Sequence, residues 1–156
     1  MKKVFLALRI VPITFVLIVT TLVGCKKAGG TSDNLDWETN LETALQKAQK
    51  ENKAVLLNFT GSDWCIWCQR LSNEVFSQSE FEKFAKENLV LVKIDFPKNI
   101  ELPMETKMYN NQLAQRFGVQ GFPTIFILNK NGEVSLQTGY QPGGAVNYIN
   151  HLKSYM

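Results

Sequence analysis

Residues 54–68 read AVLLNFTGSDWCIWC, an apolar run that passes through a short polar loop into a pair of cysteines. The apolar part has the length of a β-strand and does not alternate, which predicts a strand that is covered on both faces. Gly61 and the polar residues after it break the run, and we expect a helix to begin near Cys65. Cys65 and Cys68 are three residues apart, so on a helix they share one face and their sulfur atoms can form a disulfide.

The first cysteine of this pair lies at the predicted N-terminus of the helix. Unpaired amide N–H groups and the helix macrodipole favour an anion at that position. Lowering a thiol pKa from about 8.5 to about 7 requires about 2 kcal/mol, and a partly buried helix terminus supplies about 1–2 kcal/mol. We therefore predict that Cys65 is the catalytic nucleophile and that Cys68 attacks the mixed disulfide and releases the product.

A zinc site, haem attachment and a structural disulfide are the other roles that a cysteine pair can have. A zinc site needs four ligands. We expect Cys25, the third cysteine of the chain, to carry a lipid, so only Cys65, Cys68 and His151 are candidate donors. Haem attachment would require a histidine directly after Cys68, and Gln69 is there. A purely structural disulfide stays open, although closing so short a loop gains little chain entropy. We expect no metal site and no cofactor.

Hydrophobic patterning on either side of the motif predicts further elements. Capping boxes that begin at Thr39 and Ser77 mark the starts of two helices. We expect strands at 54–59, 89–96, 124–128 and 133–138, and a loop at 97–109. We expect helices at 39–51, at 110–117, and from Cys65 to Glu87 with an interruption near Glu74. A last helix at the C-terminus should have Val146, Ile149 and Leu152 on its apolar face. This order predicts an α/β fold with a central mixed sheet of about four strands, flanked by helices on both faces.

Composition and charge bound the class of protein. The chain has 156 residues, of which 45% are hydrophobic and 20% charged, which suits one globular domain. It has 17 basic and 14 acidic residues, but Lys2, Lys3 and Arg9 lie in an N-terminal segment that we expect to be removed. Without those three the charges balance and no basic face is apparent, so nucleic acid is not an expected partner.

With these motifs in place, the chain resembles the thioredoxin superfamily, and in particular the small extracytoplasmic thioredoxin-like domains of bacteria. The resemblance covers roughly residues 37–155 and rests on two segments: NFTGSDWC, which ends at Cys65, and FGVQGFPT, which contains Phe122 and Pro123. It implies a thioredoxin-like fold and thiol–disulfide oxidoreductase activity. It also implies that Pro123 is cis and close to Cys65, that the backbone of Phe122 pairs with a bound peptide, and that Trp64 forms part of the groove rim. An ordinary turn at Pro123 and core packing of Trp64 stay open.

The sequence also departs from the family pattern. The thioredoxins carry a buried acid in the register of Asn58, and their lysine partner on the neighbouring strand aligns with Leu91; both positions are uncharged here. Proton transfer must then use water or another acid, and we interpret the nearby Asp63 and Glu74 as solvated surface residues. The pair between the cysteines is Ile-Trp instead of the Gly-Pro of thioredoxin, so the family's direction of electron flow does not carry over.

The N-terminal segment has the pattern of a lipoprotein signal. A positively charged start precedes an apolar stretch from Ile10 to Val23, which suits a signal peptide and is shorter than the ~20 residues of a membrane-spanning helix. The tetrapeptide that ends at Cys25, Leu-Val-Gly-Cys, resembles a bacterial lipobox. We therefore predict a signal peptide at 1–24, an acylated Cys25 with a flexible tether at 25–36, and a thioredoxin-like domain at 37–156. An uncleaved anchor and plain secretion are the alternatives.

These observations predict a function and a location. We expect a protein-disulfide reductase that acts on disulfide-bearing exported proteins, because Trp64 before the first cysteine resembles the reducing branch of the family. A reductase in an oxidising compartment must be recharged, which implies a membrane-embedded thiol carrier as electron donor. Acylated Cys25 would anchor the protein outside the cytoplasm in the lipid bilayer of a bacterial membrane, at the periplasmic face or at the cell surface. The alternative is a non-catalytic binding module with a permanently closed disulfide.

Overall fold

The computed structural model describes residues 35–156. The predicted signal peptide, Cys25 and the tether up to residue 34 lie outside the described residues. The strands of this part are β1 (Trp37–Glu38), β2 (Ala54–Thr60), β3 (Leu89–Asp95), β4 (Thr124–Leu128) and β5 (Val134–Thr138). The helices are α1 (Leu41–Glu51), α2 (Ile66–Leu71), α3 (Ser79–Asn88), α4 (Met104–Arg116) and α5 (Gly144–Lys153), with a π-helical turn at Ser72–Phe76 between α2 and α3.

The strands form one mixed sheet in the order β1-β3-β2-β4-β5. β1 and β2 both pair in parallel with β3, whereas β4 runs antiparallel to β2 and β5 antiparallel to β4. The predicted α/β fold with a mixed sheet is therefore confirmed. The predicted count of about four strands omitted β1, because its two residues are too few to produce an alternating pattern.

The central strand β2 separates two apolar cores. Val55, Leu57 and Phe59 belong to the core under α1 and α4, whereas Leu56 belongs to the core under α2, α3 and α5. Successive side chains of a strand point to opposite faces, so Asn58 shares the face of Leu56. Helices lie on both faces of the sheet, as expected, and Asn58 is a buried polar residue on the face that also carries Leu56.

Helix α4 is longer than the sequence predicted. The predicted helix at 110–117 begins instead at Met104 and ends at Arg116. Met104 and Met108 are exposed, so the first two turns carry no buried apolar stripe that would reveal them. Pro103 stands at the N-cap, and a proline next to a helix start was the available signal.

Both predicted capping boxes were wrong by one residue. The N-cap of α1 is Asn40, whose Oδ1 accepts the N–H of Thr43 at 2.8 Å. Asparagine caps helices at least as well as threonine, so Asn40 displaces Thr39. The N-cap of α3 is Gln78, because the hydroxyl of Ser77 donates back to a carbonyl of the π-helical turn.

The helices on the α3–α5 side of the sheet include the interruption that was expected near Glu74. It is the π-helical turn, which buries Val75 and Phe76. On α5, Val146 is 59% exposed instead of buried, and Ala145 and Tyr148 take the core positions beside the predicted Ile149 and Leu152. The helix is rotated relative to the predicted face because the Ala145–Tyr148 spacing also fits a helical period.

Candidate active site

The cysteine pair lies where β2 ends and α2 begins. Cys65 is the N-cap of α2, with an extended backbone, and its Sγ accepts the N–H of Cys68 at 3.2 Å. The two sulfur atoms are joined in a disulfide, and the Cα atoms are 5.2 Å apart. The side chains of Cys65 and Cys68 are 6% and 5% exposed, so the pair lies just below the surface.

A tight turn delivers the chain from β2 to Cys65. The N–H of Cys65 donates to the carbonyl of Gly61 at 2.9 Å, and the N–H of Trp64 donates to the same carbonyl at 3.3 Å. The indole of Trp64 folds back over the turn, and a Cβ at position 61 would lie 2.5 Å from its Cε2. Glycine is therefore required here by close approach of a side chain, not by a positive φ.

The loop after β3 holds this turn in place. The indole N–H of Trp64 donates to the carbonyl of Phe96 at 2.8 Å, and the Lys98 ammonium lies 3.9 Å from the centre of the Trp64 ring. The carboxylate of Asp63 accepts the backbone N–H groups of Lys98 at 3.0 Å and Asn99 at 2.6 Å. These bonds, that of Lys98 first, lower the pKa of Asp63. Asp63 is thus a solvated loop residue, as expected, and its carboxylate also connects the turn to the loop after β3.

The second motif lies against the first. The Phe122–Pro123 peptide bond is cis. The ring of Phe122 meets that of Trp64 edge-on, with centroids 5.9 Å apart, and stacks on Phe96 at 5.1 Å. Trp64 is 39% exposed, so core packing does not account for it. Trp64, Phe122 and Pro123 therefore lie together beside the cysteines, at the sheet edge where β2 ends and antiparallel β4 begins.

A second aromatic group flanks the cysteines on the α2 side. Trp67 is 49% exposed and packs against Tyr140, with ring centroids 5.3 Å apart. The hydroxyl of Tyr140 donates to the Glu74 carboxylate at 2.6 Å, which raises the pKa of Tyr140. The guanidinium of Arg70 lies 5.0 Å from the centre of the Trp67 ring. The sequence had not singled out Tyr140, which is 73 positions from Trp67 and carries no motif.

A cavity of about 370 Å³, with both polar and apolar walls, lies next to Cys68. We call it the inner cavity; its lining includes Asn58, Thr60, Cys68, Ser72, Lys93 and Pro123. The Oδ1 of Asn58 is buried and has no hydrogen-bond partner among the described residues. An unpaired buried acceptor costs about 1–3 kcal/mol, so the position is unusual for a structural core.

The expected neighbour of Asn58 was wrong. The uncharged Leu91 was aligned with the family's lysine, but Leu91 pairs with Leu56, and the residue opposite Asn58 on β3 is Lys93. Residues 91 and 93 share a face of the strand, so the sequence pattern could not distinguish the two registers. A cation therefore lies on the wall of the inner cavity after all.

The remaining donor of the zinc hypothesis lies on α5. A ring nitrogen of His151 is 3.1 Å from the hydroxyl of Thr138, and the ring packs between Tyr148 and Tyr155. Within residues 35–156 no three histidine, cysteine, aspartate or glutamate side chains converge as metal donors. No helix in the same range has both the length and the apolar character needed to cross a membrane.

Comparisons with known proteins agree with this geometry. The model of the Thioredoxin-like domain family matches residues 41–150. The Disulfide bond reductase DsbH of Chlamydia pneumoniae is 36% identical over 121 residues, which cover 78% of this chain and 72% of that protein. The Thiol:disulfide interchange protein DsbD of Pasteurella multocida is 31% identical over 97 residues, which are 60% of this chain but only 16% of DsbD.

Solved structures give the same result. A DsbH oxidoreductase superposes with a TM-score of 0.73 at 35% identity, over 78% of this chain and 84% of that chain. The oxidised C-terminal domain of Neisseria meningitidis DsbD has a TM-score of 0.57 over 78% of this chain and all of that chain; at 19% identity it supports the fold alone. The chain belongs to the thioredoxin-like family, and it is a thiol–disulfide oxidoreductase.

Proposed function

We propose that the protein is a reductase of disulfides in exported proteins, with Cys65 as the nucleophile and Cys68 as the resolving cysteine. The observation that carries the proposal is the position of Cys65 at the N-cap of α2, where its sulfur already accepts an amide N–H. The same position favours a thiolate once the disulfide is reduced. Cys68 is about one turn further along the chain, and its sulfur is bonded to that of Cys65.

The reaction transfers two electrons from the protein to its client. The Cys65 thiolate attacks one sulfur of a client disulfide; a bond from Cys65 to that sulfur forms, the client S–S bond breaks, and the released client sulfur takes up a proton. Cys68 then attacks the sulfur of Cys65, which releases the second client thiol and leaves the Cys65–Cys68 disulfide. A donor dithiol must reduce this disulfide before the next cycle.

The surface around Cys65 suits an extended client segment. Trp64 and Phe122 offer exposed and half-buried aromatic faces next to the disulfide. The backbone of Phe122 precedes β4 and is available to pair with a client strand, as in strand addition to a sheet edge. We assign Trp64, Phe122 and Pro123 to client binding.

The direction of electron flow is supported by similarity to DsbH, which is described as a disulfide bond reductase. A reductase outside the cytoplasm needs a source of electrons from across the membrane, and we propose a membrane-embedded thiol carrier. DsbD, a thiol:disulfide interchange protein, shares a similar segment with this chain. The proposed location is extracytoplasmic, with a signal peptide at 1–24, an acylated Cys25 and tether at 25–36, and the catalytic domain at 37–156.

Trapping of the mixed disulfide tests this proposal. Cys68→Ser in the full-length chain should accumulate client adducts through Cys65, because the second attack cannot occur. Adducts are detected on non-reducing gels and identified by mass spectrometry, with Cys65→Ser and the double variant as controls that should capture nothing. Failure of Cys68→Ser to capture any client, while Cys65 is open to alkylation, would favour the binding module with a closed disulfide.

The direction is measured on the wild-type protein in the same cells. Acid quenching followed by alkylation should recover Cys65 and Cys68 mainly as free thiols, because a reductase is kept charged by its donor. Recovery mainly as the disulfide would contradict the reductase assignment while leaving thiol–disulfide exchange intact.

A further inference from the structure

The two tryptophans next to Cys65 lie on opposite sides of the active site. Trp64 is bonded to the carbonyl of Phe96 in the loop after β3, whereas Trp67 packs against Tyr140 in the chain after β5. In the sheet order β1-β3-β2-β4-β5, strands β3 and β5 lie on the two sides of the β2–β4 pair. Because Cys65 follows β2, the two indoles border it from both sides.

Each of these indoles carries a cation on its ring. The Lys98 ammonium lies 3.9 Å from the centre of the Trp64 ring. The Arg70 guanidinium lies 5.0 Å from the centre of the Trp67 ring. Both distances are within the ~6 Å over which an aromatic ring attracts a cation, and both Lys98 and Arg70 are exposed. The rings therefore hold two positive charges at the surface, one on each side of Cys65.

The backbone of Lys98 is held as firmly as its side chain. Its N–H donates to the Asp63 carboxylate at 3.0 Å, and the Trp64 indole beneath its ammonium is fixed by the Phe96 carbonyl and the edge of the Phe122 ring. The ammonium of Lys98 forms no ion pair with another residue of 35–156. An ammonium has three N–H donors, so this one is positioned and still able to bind an anionic group.

The carboxylates of the surrounding elements bind other groups. Asp63 accepts backbone N–H groups of the loop after β3, and the aspartate at the end of β3 is bonded to the active-site turn. Glu74 accepts the hydroxyl of Tyr140. Glu101 forms an ion pair with Lys107. In the described part of the chain, none of these acids forms an ion pair with either of the two cations on the indoles.

We propose that Lys98 and Arg70 are specificity-determining residues, which select client segments with acidic residues on both sides of the attacked cysteine. The inference rests on the proposed function, in which a client segment lies beside Cys65 as it is attacked. With the client sulfur at Cys65, the residues before and after it pass the two indoles. An aspartate or glutamate there accepts hydrogen bonds from the ammonium or the guanidinium, and charge makes such bonds stronger than neutral ones.

A comparison of two clients isolates this selection from a second effect of the same charges. A cation near Cys65 also favours its thiolate, and this changes the rate of attack on every client alike. The ratio of the rates for an acidic and a neutral client cancels that common factor. The ratio therefore reports recognition of the client's carboxylates.

The test uses two synthetic peptides and the reduced full-length protein. Each peptide has one cysteine in a mixed disulfide with thiopyridine, and it carries either glutamate or glutamine two residues before and two residues after that cysteine. Attack by Cys65 on the peptide sulfur releases the thiopyridine, which is followed by its absorbance. At low ionic strength the wild-type protein should react about fivefold faster with the glutamate peptide, or about twofold for each exposed charge pair. At about 1 M salt, where the Debye length is about 3 Å, the preference should largely disappear.

Matched variants assign the preference to the two cations. Lys98→Met and Arg70→Met keep a long side chain against the indole but remove its charge, and each should lower the preference to about twofold. The double variant should show no preference. Lys98→Arg keeps the charge and should keep the preference, as should Lys83→Met, which removes an exposed lysine of α3. Equal rates for the two peptides in the wild-type protein, or an unchanged preference in the folded double variant, would overturn the inference. Absence of thiopyridine release from either peptide would instead overturn the proposed role of Cys65.

Discussion

The sulfur of Cys65 takes the place that a serine, threonine, aspartate or asparagine oxygen usually has at a helix N-cap. It accepts the N–H of Cys68, so the atom proposed to react also helps to start the helix. The surroundings of this sulfur are set by single residues. Gly61 supplies the carbonyl that accepts the N–H of Cys65, and it leaves room for the Trp64 indole.

Gly61→Ala tests this close approach. Because the new Cβ would lie 2.5 Å from Cε2 of Trp64, the indole must move and its bond to the Phe96 carbonyl is lost. We expect a loss of about 1–3 kcal/mol in the free energy of unfolding, as for other overpacked sites. We also expect the substitution to slow reduction of a protein disulfide more than it slows reduction of a small aromatic disulfide. Denaturant unfolding measures the stability, and the rates of reduction of the two disulfides measure the second effect.

Gly121→Ala is the matched control for that substitution. A Cβ at Gly121 meets no heavy atom within 4 Å, and the residue is exposed. This variant should unfold with the wild-type free energy. Equal stability of the two alanine variants would show that the indole does not depend on the space at position 61.

At the scale of elements, the active-site turn is bound to the loop after β3. Asp63, at the turn, accepts two backbone N–H groups of that loop, and Asp95, at the end of β3, accepts the N–H and hydroxyl of Ser62. Two segments that follow parallel neighbouring strands are thus joined at one sheet edge. We infer that this connection fixes the orientation of Trp64 relative to Cys65.

Asp63→Asn tests the connection through its pH dependence. The pKa of Asp63 is lowered from 3.8 by the N–H groups of Lys98 and Asn99, so the charged form is the one favoured by folding. The stabilisation is therefore present above the unfolded-state pKa and is lost as pH falls through the lowered pKa. We expect wild type to be more stable than Asp63→Asn at neutral pH, and the difference to disappear in strong acid. Urea unfolding across this range measures it.

The control removes an aspartate outside this loop connection. Asp36→Asn, at an exposed position before β1, should reduce stability at neutral pH by less than Asp63→Asn does. A stability difference for Asp63→Asn that persists unchanged in acid would contradict the proposed hydrogen bonds of the carboxylate.

The sequence predicted those elements whose signals are local. The strand at Ala54–Thr60, the helix that follows the cysteines and the hairpin strands all carry continuous apolar runs or turn residues. Register and tertiary neighbours carry no such signal. Lys93 was missed because the pattern fixes which face a strand residue occupies but not which residue it pairs with. Tyr140 was missed because its contact with Trp67 depends on how α2 lies against the chain after β5.

At the scale of the molecule, the topology collects the candidate site residues at one end of the sheet. The cysteines follow β2, and the loop that holds their turn follows the parallel strand β3. Pro123 precedes the antiparallel strand β4, whose first residue pairs with Phe59 near the end of β2. Sites at the carboxyl ends of strands are general in open α/β sheets. The chain before Leu35 is the part that the proposed anchor requires, and it lies outside the described residues.

Acylation of Cys25 is the prediction that belongs to the whole chain. Two acyl chains hold a protein at a bilayer, since each buried methylene contributes about 0.8 kcal/mol. Wild-type protein from cells grown with a clickable palmitate analogue should carry the label and begin at residue 25. The Cys25→Ser variant from the same cells should carry no label. Cys65→Ser is the matched control and should keep the label, because the thiol that it removes belongs to the Cys65–Cys68 pair and not to the predicted lipidation site. An unlabelled wild-type chain would contradict acylation: one that still begins at Met1 would indicate an uncleaved anchor, and a shortened one plain secretion. Retention of label by Cys25→Ser would place the lipid on another residue.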